Sequence, residues 1–306
     1  MAQLSTTDRI KTSTAPVSRA RAAAYCRNLA QRHYENFTLC SWLVPRELRP
    51  HFYAVYAYCR TADDLADELG DPAESLIALD CWQHELERCY AGKVWHPVFV
   101  ALAGTIETFG IPREPFERLL EAFRQDQFVT RYATHDEVLA YCRNSANPVG
   151  RLVLYLGRCH DQERGRLADS VCTGLQLANF CQDVANDFGR GRIYLPQETL
   201  AAAGCEESDL ANGRPTPALQ EALRFEVDRA ERYLRAGEPL VALAPRELRV
   251  DVALFIAGGL AILDAIRRQD FDVWTSRPRV SRFEQLKLLE RCWRRVRSLN
   301  RKEAGR

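Results

Sequence analysis

Two acidic clusters, far apart in the chain, contain the residue types and spacings best suited to chemistry. The first spans residues 60–68 and the second spans residues 179–187. Each holds two aspartates four residues apart in a stretch with a helical pattern, so both carboxylates lie on one helical face. Like charges one turn apart weaken a helix, and a hard divalent cation would compensate for them. Two such clusters facing one cavity predict a Mg²⁺-dependent site for a diphosphate.

The first cluster combines carboxylates with a guanidinium and a phenol on one side of a helix. The side chains that share nearly one face are Tyr56, Arg60, Asp63 and Asp67. Asp64 and Glu68 form a second acidic pair beside them. The alternative is a solvated acidic helix end. However, acid near a helix C-terminus opposes the helix dipole, so that alternative also requires a compensating charge.

The second cluster places Asn179, Asp183 and Asp187 at successive i, i+4 positions. An amide oxygen and two carboxylates in one row are good ligands for a hard cation. The preceding residues 171–180 are largely apolar, which indicates a buried helix. Buried carboxylates need a metal or a charged partner, and that requirement favours a metal site.

A basic segment follows the second cluster directly. Residues 188–196 contain two glycines interleaved with Arg190 and Arg192. Arginine matches phosphate oxygens bidentately, so we predict a mobile loop that closes over a diphosphate. A basic turn that merely neutralises the neighbouring acid is the alternative interpretation.

The elements that must position these residues are helices. Convincing alternating strands are absent, and residues 201–214, with two glycines and a proline nearby, predict a loop. We expect an all-α fold with one catalytic domain at 17–300, a disordered tail at 1–16 and a basic tail at 301–306. The predicted helices are 17–33, 47–69, 73–91, 97–109, 112–131, 136–158, 164–187, 217–237, 247–268 and 283–299.

Composition excludes several classes of function. The net charge of the 306 residues is +1, so no nucleic-acid partner is expected. Eleven cysteines show no metal-binding spacing and are interpreted as buried apolar side chains in a reducing cytoplasm. The longest apolar stretch, 252–263, is too short to span a bilayer, and no secretory signal is visible. Residues 291–306 contain seven basic residues and one acidic residue, which fits either a solvated helix end or weak docking on the inner face of the membrane.

Residues 60–68 and 176–196 resemble the two signature regions of the squalene/phytoene synthase family, and the similarity extends from about Ala20 to Asn300. Three further stretches, 33–37, 41–45 and 145–151, look most like hydroxysqualene synthases of bacterial hopanoid pathways. The most discriminating is the Ser-Ala-Asn-Pro-Val-Gly-Arg run at 145–151.

The resemblance implies a single-domain trans-isoprenyl diphosphate synthase fold, a terpenoid synthase helical bundle with a central cavity, and two or three Mg²⁺ ions. The implied metal ligands are Asp63, Asp64, Asp67, Asn179, Asp183 and Asp187. Arg60 and Arg192 correspond to positions near the diphosphate, whereas Phe37 and Tyr56 correspond to the pocket wall. One departure is glycine near 258–259, where many carotenoid-forming relatives have a tyrosine.

Asn147 and Pro148 interrupt a helical pattern. Pro148 should kink the helix and free a backbone carbonyl. The kink is either purely structural, or Asn147 or the freed carbonyl holds a reacting water. In the second interpretation Asn147 both binds the substrate and takes part in catalysis. The same two roles are expected of Arg60, Arg192 and Tyr56.

The expected reaction converts presqualene diphosphate to hydroxysqualene by ionisation, cation rearrangement and water capture, without NADPH. One alternative is head-to-head condensation of two farnesyl or geranylgeranyl diphosphates to presqualene diphosphate, squalene or phytoene. Another is a non-catalytic assembly or lipid-binding protein on the same fold. The expected pathway partners are a presqualene diphosphate synthase and a hydroxysqualene reductase.

Overall fold

The computed structural model describes residues 17–32 and 44–304. Within them the chain forms fifteen helices and no strand, with one isolated bridge between Arg131 and Ile193. The all-α prediction is confirmed. In chain order the helices are α1 (Arg19–Arg32), α2 (Arg49–Asp67), α3 (Pro72–Tyr90), α4 (Pro97–Phe109), α5 (Glu114–Gln125), α6 (His135–Ser145), α7 (Asn147–Leu156), α8 (Gln162–Gln182), α9 (Val184–Gly189), α10 (Gln197–Ala202), α11 (Glu207–Ala211), α12 (Pro217–Ala236), α13 (Leu240–Leu243), α14 (Arg249–Arg268) and α15 (Arg282–Ala304).

The chain divides into two compact units. The N-terminal unit contains the described residues of Met1–Phe128 together with Leu152–Cys159. The C-terminal unit contains Val129–Arg151 and the described residues of His160–Arg306. A single catalytic domain at 17–300 stays a prediction. The predicted N-terminal tail lies outside the described residues, and residues 301–304 of the predicted basic tail continue α15.

An aromatic cluster fixes α2 in the N-terminal unit. Tyr58, Trp82, Phe99 and Phe116 are fully buried. The ring centroids of Trp82 and Phe99 are 4.5 Å apart, and the Tyr58 hydroxyl donates to the Phe116 carbonyl at 3.1 Å. Because Tyr58 lies on the buried face of α2, these contacts turn the opposite face of that helix, with its acidic residues, away from the core.

Helix α8 is the central element of the C-terminal unit and packs against α12 and α14. A Cβ atom at Gly174 would lie 2.8 Å from the Leu234 side chain, so glycine allows α8 and α12 to approach closely. The N-terminus of α8 is capped by Asp161, whose carboxylate accepts from the Arg164 amide at 2.8 Å.

Three predicted boundaries are wrong. The helix predicted at 136–158 is two helices that break at Ala146, beside the kink that was expected at Pro148. The helix predicted at 164–187 ends at Gln182, and α9 begins after Asp183. The loop predicted at 201–214 contains α11, because Glu206 and Asp209 form a capping box that starts a helix there.

Most of the described cysteines are buried, as predicted. Of the ten that the structure describes, six are buried and only Cys81 is exposed, and none of the ten forms a disulfide. Burial raises the pKa of the Cys142 thiol to about 12, so this group stays protonated and apolar at neutral pH. Among the described residues, no helix has both the length and the apolar content needed to cross a membrane.

Candidate active site

The first acidic cluster lies on the partly exposed face of α2. Its buried positions, such as Ala62 and Leu65, alternate at helical spacing with the partly exposed Arg60, Asp63 and Asp64. Arg60 Nη1 lies 3.1 Å from Asp63 Oδ2, and Nη2 contacts Asp64. One arginine is therefore shared between two aspartates, one from each predicted acidic pair, and Asp67 at the end of the helix is exposed.

The end of α2 shows how an acidic helix C-terminus is compensated. Burial disfavours the charge of Arg60, but Asp64 and Asp63 outweigh it and raise the pKa of that guanidinium. The Ala66 carbonyl, in the last turn, accepts from Ser75 Oγ and Gln127 Nε2, each at 3.2 Å. These donors satisfy a helix-end carbonyl that would otherwise add to the local negative potential.

Tyr56, one turn before Arg60, is half-buried. Burial is the main cause that raises the pKa of its phenol. The side chain is therefore neutral at pH 7 and can act as a wall with a π face, as the sequence predicts. Phe37, the other predicted wall residue, lies outside the described residues.

The second cluster keeps its spacing although the helix breaks. Asp183 is the junction between α8 and α9, with φ −106° and ψ 13°. Its amide still donates to the Asn179 carbonyl at 2.9 Å, and the Asp187 amide donates to the Asp183 carbonyl at 2.8 Å. The i to i−4 hydrogen bonds thus continue through the junction, and the three residues remain one turn apart.

Within the described part of the chain, Asp183 accepts from three side chains. Asn179 Nδ2 donates to Oδ2 at 2.6 Å, and Asn186 Nδ2 donates to Oδ1 at 3.3 Å. Arg277 Nη2 donates to Oδ2 at 2.8 Å, and its Nε contacts Oδ1, which makes this pair bidentate. The carboxylate is mostly covered and is held by one full positive charge.

Arg277 was missed by the sequence reasoning. It lies in the segment between α14 and α15, 94 residues after Asp183. The same segment is fixed by Gln182, whose Nε2 donates to the Pro278 carbonyl at 2.6 Å. The only signal in the sequence is the Arg-Pro-Arg triplet at 277–279, which by itself indicates no partner.

The predicted mobile loop is tied at both ends. The Asp187 carbonyl accepts from the amides of Arg190 and Arg192, around a turn in which Gly191 has φ +78°. The Ile193 amide then donates to the Thr130 carbonyl at 2.9 Å, and Arg131 Nη1 donates to the Gly191 carbonyl at 2.6 Å. Closure over a diphosphate stays a prediction, and these bonds limit it to the short turn and its side chains.

An aromatic cluster under this loop was also not predicted. The rings of Phe180 and Tyr194 stack with centroids 4.1 Å apart, and Tyr132 and Tyr141 pack around them. Beside the stack is a cavity of about 10 Å³, room for roughly one water molecule. Asp187 and Arg192 both line that cavity, so the structure brings these two predicted residues together.

The stretch at 145–151 divides into packing and polar residues. A Cβ at Gly150 would lie 2.6 Å from Cys172 Sγ, so glycine lets α7 lie against α8. Arg151 forms a bidentate pair with Asp169.

Asn147 is buried, and its Oδ1 accepts from the Thr173 hydroxyl at 2.9 Å. Ser145 Oγ is buried and has no hydrogen-bond partner within 17–32 and 44–304.

The two glycines of α14 differ. A Cβ at Gly259 would lie 2.9 Å from side-chain atoms of Leu175 and Leu234, so a tyrosine would not fit there without rearrangement. At Gly258 nothing lies within 4 Å of the added atom. The glycine pair therefore combines close helix packing at one position with open space at the next.

The donor sets fit Mg²⁺ in chemical type. Each cluster offers hard oxygen ligands, and in each the carboxylates already face a positive charge, Arg60 in one and Arg277 in the other. In their present conformations, the acidic, histidine and cysteine side chains of the described residues form no group of three that is close enough to hold a metal ion.

Comparison with known proteins identifies the family. Residues 30–284 match the family model for squalene/phytoene synthase. The chain is 30% identical to phytoene synthase from Arthrospira platensis, over 98% of this chain and 100% of that protein. It resembles the crystal structure of squalene synthase HpnC from Alicyclobacillus acidocaldarius with a TM-score of 0.79 and 46% identity, over 84% of this chain and 97% of the other. A dehydrosqualene synthase in complex with ligand gives a TM-score of 0.82 and 26% identity, over 92% and 98%. The chain therefore belongs to the squalene/phytoene synthase family.

Proposed function

We propose that this protein converts presqualene diphosphate to hydroxysqualene. The observation that carries the proposal is the buried polar group at the joint of α6 and α7, where Ser145 Oγ has no hydrogen-bond partner among the described residues. A buried hydroxyl normally has a partner, and a water molecule would supply one. The 46% identity with a squalene synthase supports a triterpene product.

Metal ions would be held by both clusters. Asp63 and Asp67, with Asp64 beside them, are the proposed ligands on α2, and Asn179, Asp183 and Asp187 those at α8 and α9. Two or three bound Mg²⁺ ions would supply electrostatic stabilisation for the departing diphosphate. Arg60, Arg192 and Arg277 add fixed positive charge, which is most effective where water is excluded.

The other side chains of the proposed site must shield a carbocation from bulk water. Tyr56 presents a neutral ring, and cation–π attraction stabilises positive charge over such a face. Apolar side chains exclude bulk water, so that capture of the cation depends on one positioned molecule. We assign that molecule to Ser145 and Asn147. The Thr173 hydroxyl, which donates to Asn147 Oδ1, fixes the orientation of the amide.

Product analysis tests this function. Purified protein would receive presqualene diphosphate and Mg²⁺ in ¹⁸O-labelled water, without NADPH, and the products would be identified by mass spectrometry. We expect an alcohol with one labelled oxygen. A requirement for NADPH, or an alcohol without label, would contradict the proposal.

Head-to-head condensation is the second candidate. The observation in its favour is the 30% identity with a phytoene synthase over 98% of the chain. In this case farnesyl or geranylgeranyl diphosphate alone would be consumed, and presqualene diphosphate, squalene or phytoene would accumulate. The same assay, started with farnesyl or geranylgeranyl diphosphate, separates the two reactions. A non-catalytic role has less support, because both acidic clusters are complete.

The proposed reaction also implies its neighbours. A presqualene diphosphate synthase must supply the substrate, and a hydroxysqualene reductase would consume the product. We propose that these steps occur in the cytoplasm, with this protein in peripheral contact with the membrane.

A further inference from the structure

Helix α15 presents large apolar side chains to solvent. Phe283 is 65% exposed, Leu286 is 64% exposed and Trp293 is 49% exposed. At about 100° per residue, the three side chains fall within about 80° of one another around the helix axis. They therefore form one stripe, which we call the outer face of α15.

A different side of α15 accounts for its place in the fold. Cys292 and Val296 are 6% and 3% exposed, and the helix packs against α14 and α13. The apolar side chains of the outer face do not contribute to that packing, so folding of the C-terminal unit does not explain them.

Helix α15 as a whole is also strongly basic. Helix α15 contains eight basic and three acidic residues, whereas the whole chain has a net charge of only +1. The positive charge is thus concentrated in this helix. Lys287 Nζ lies 4.2 Å from the centroid of the Phe283 ring, and Arg297 Cζ lies 4.9 Å from that of Trp293. Among the described residues, no carboxylate forms an ion pair with Lys287, Arg297 or Arg301.

We propose that the outer face of α15 docks on the surface of an anionic phospholipid bilayer. Aromatic and leucine side chains enter the interfacial region, and neighbouring basic side chains reach the lipid phosphates. A second copy fits less well, because a two-fold contact would place identical basic residues against each other. The inference depends on α15 alone and holds whichever reaction the site catalyses.

Vesicle flotation of the full chain tests the proposal. We expect binding to vesicles of equal parts phosphatidylglycerol and phosphatidylcholine, and little binding to phosphatidylcholine alone. Raising NaCl from about 0.05 M to about 0.5 M should release the protein, because exposed charges are screened. A wild-type protein that ignores anionic vesicles at low salt would overturn the proposal.

Two sets of variants locate the contact. Charge reversal of Lys287, Arg297 and Arg301 to glutamate should reduce the partition coefficient by at least about tenfold. Phe283→Ser, Leu286→Ser and Trp293→Ser together should also weaken binding to the anionic vesicles at low salt, because they remove the apolar side chains that enter the interfacial region.

The matched controls are reversal of the exposed Arg19, Arg21 and Arg27 to glutamate, and Ile77→Ser, which removes a side chain that is 65% exposed. Both controls should bind as wild type does, and circular dichroism checks the fold of each variant. Equal loss in the controls, or a dimer in light scattering that only the serine variant abolishes, would refute docking on lipid.

Discussion

Arginine pairs with carboxylates of both acidic clusters, and this pairing offsets part of the repulsion between like charges one turn apart. Arg60 reaches Asp63 and Asp64 from one turn away, whereas Arg277 reaches Asp183 from a distant segment. Removal of one partner of such a pair leaves a charge uncompensated. The substitutions that test the site must therefore separate loss of function from loss of folding.

Asp63→Asn and Asp183→Asn should each reduce turnover by at least about 100-fold, because each removes a proposed hard-cation ligand at an electrostatic centre. Asparagine preserves shape, so both variants should fold. The thermal midpoint of Asp63→Asn should change little, because Arg60 keeps Asp64. Asp183→Asn removes the carboxylate that pairs with Arg277 and should lower the midpoint. Steady-state kinetics across Mg²⁺ concentrations measures the effect on turnover. The control is Asp264→Asn, which alters an exposed carboxylate on α14. Near-normal activity of either test variant would show that the metal assignment is wrong.

Arg277→Gln should lower kcat/KM by at least about tenfold, because Asp183 loses its bidentate partner and the site loses a positive charge. Arg277→Lys should recover only part of the activity, since an ammonium cannot form the fork. Arg279→Gln, two residues further along the same segment, is the matched control and should behave as wild type. Equal effects at both positions would indicate a general role of the segment and not a specific role of Arg277.

Within each acidic cluster, the site residues that the sequence identified lie one helical turn or less from the next one. Those that it missed lie far along the chain from the residues they contact. The spacing of Asp63 and Asp67, or of Asn179 and Asp183, follows from the period of one helix and is visible locally. The partners Thr173 for Asn147 and Arg277 for Asp183 are 26 and 94 residues away. Such contacts depend on helix packing, which a single sequence does not specify.

At the scale of elements, two joints set the geometry of the C-terminal unit. The first separates α6 from α7 at Ala146, and the second separates α8 from α9 at Asp183. Pro148 predicts the first joint from the sequence alone. The second joint has no proline or glycine at the break, and side chains from other segments hold Asp183 in place. The sequence therefore contains no local sign of this joint, and the prediction of one continuous helix was wrong.

The turn at residues 190–192 should lose susceptibility to protease when Mg²⁺ and a diphosphate analogue are added together. Trypsin cleaves after arginine, and Arg190 and Arg192 are both available in sequence. Because the backbone bonds to Asp187 and Thr130 hold both ends, we expect slow cleavage without ligand and a further several-fold decrease with it.

Cleavage after Lys93, in the exposed segment between α3 and α4, serves as the internal reference and should not respond to ligand. Mass spectrometry of the peptides distinguishes the sites. Identical rates at 190–192 with and without the two additions would favour the static basic turn over a closing loop.

At the scale of the whole molecule, each compact unit contains one acidic cluster and a core that positions it. The aromatic cluster around Tyr58 does so in the N-terminal unit, and the close packing of α8 on α12 and α14 does so in the C-terminal unit. The helical pattern and family resemblance predicted the fold class. The division into units was not predicted, because the sequence has no linker composition at 128–129 or 159–160.

Stability of the whole chain should depend on one buried acid outside the proposed site. Asp251, on the first turn of α14, is 4% exposed, and neither of its carboxyl oxygens has a hydrogen-bond partner among the described residues. Burial raises its pKa from 3.8 to about 7. The folded state therefore binds this proton more tightly than the unfolded state does.

Between about pH 4 and about pH 7 the unfolded chain has released this proton while the folded chain retains it, so the free energy of unfolding should fall as pH rises through that window. Asp251→Asn removes the titration. It should flatten the profile and stabilise the protein at pH 8 by a few kcal/mol, at most about 4, because the amide carries no buried charge. Urea unfolding at pH 5 and pH 8 measures both effects, with the exposed Asp264→Asn on the same helix as control. If Asp251→Asn and wild type showed the same slope, the carboxyl would be solvated or paired in solution, and another group would have to set the pH dependence of folding.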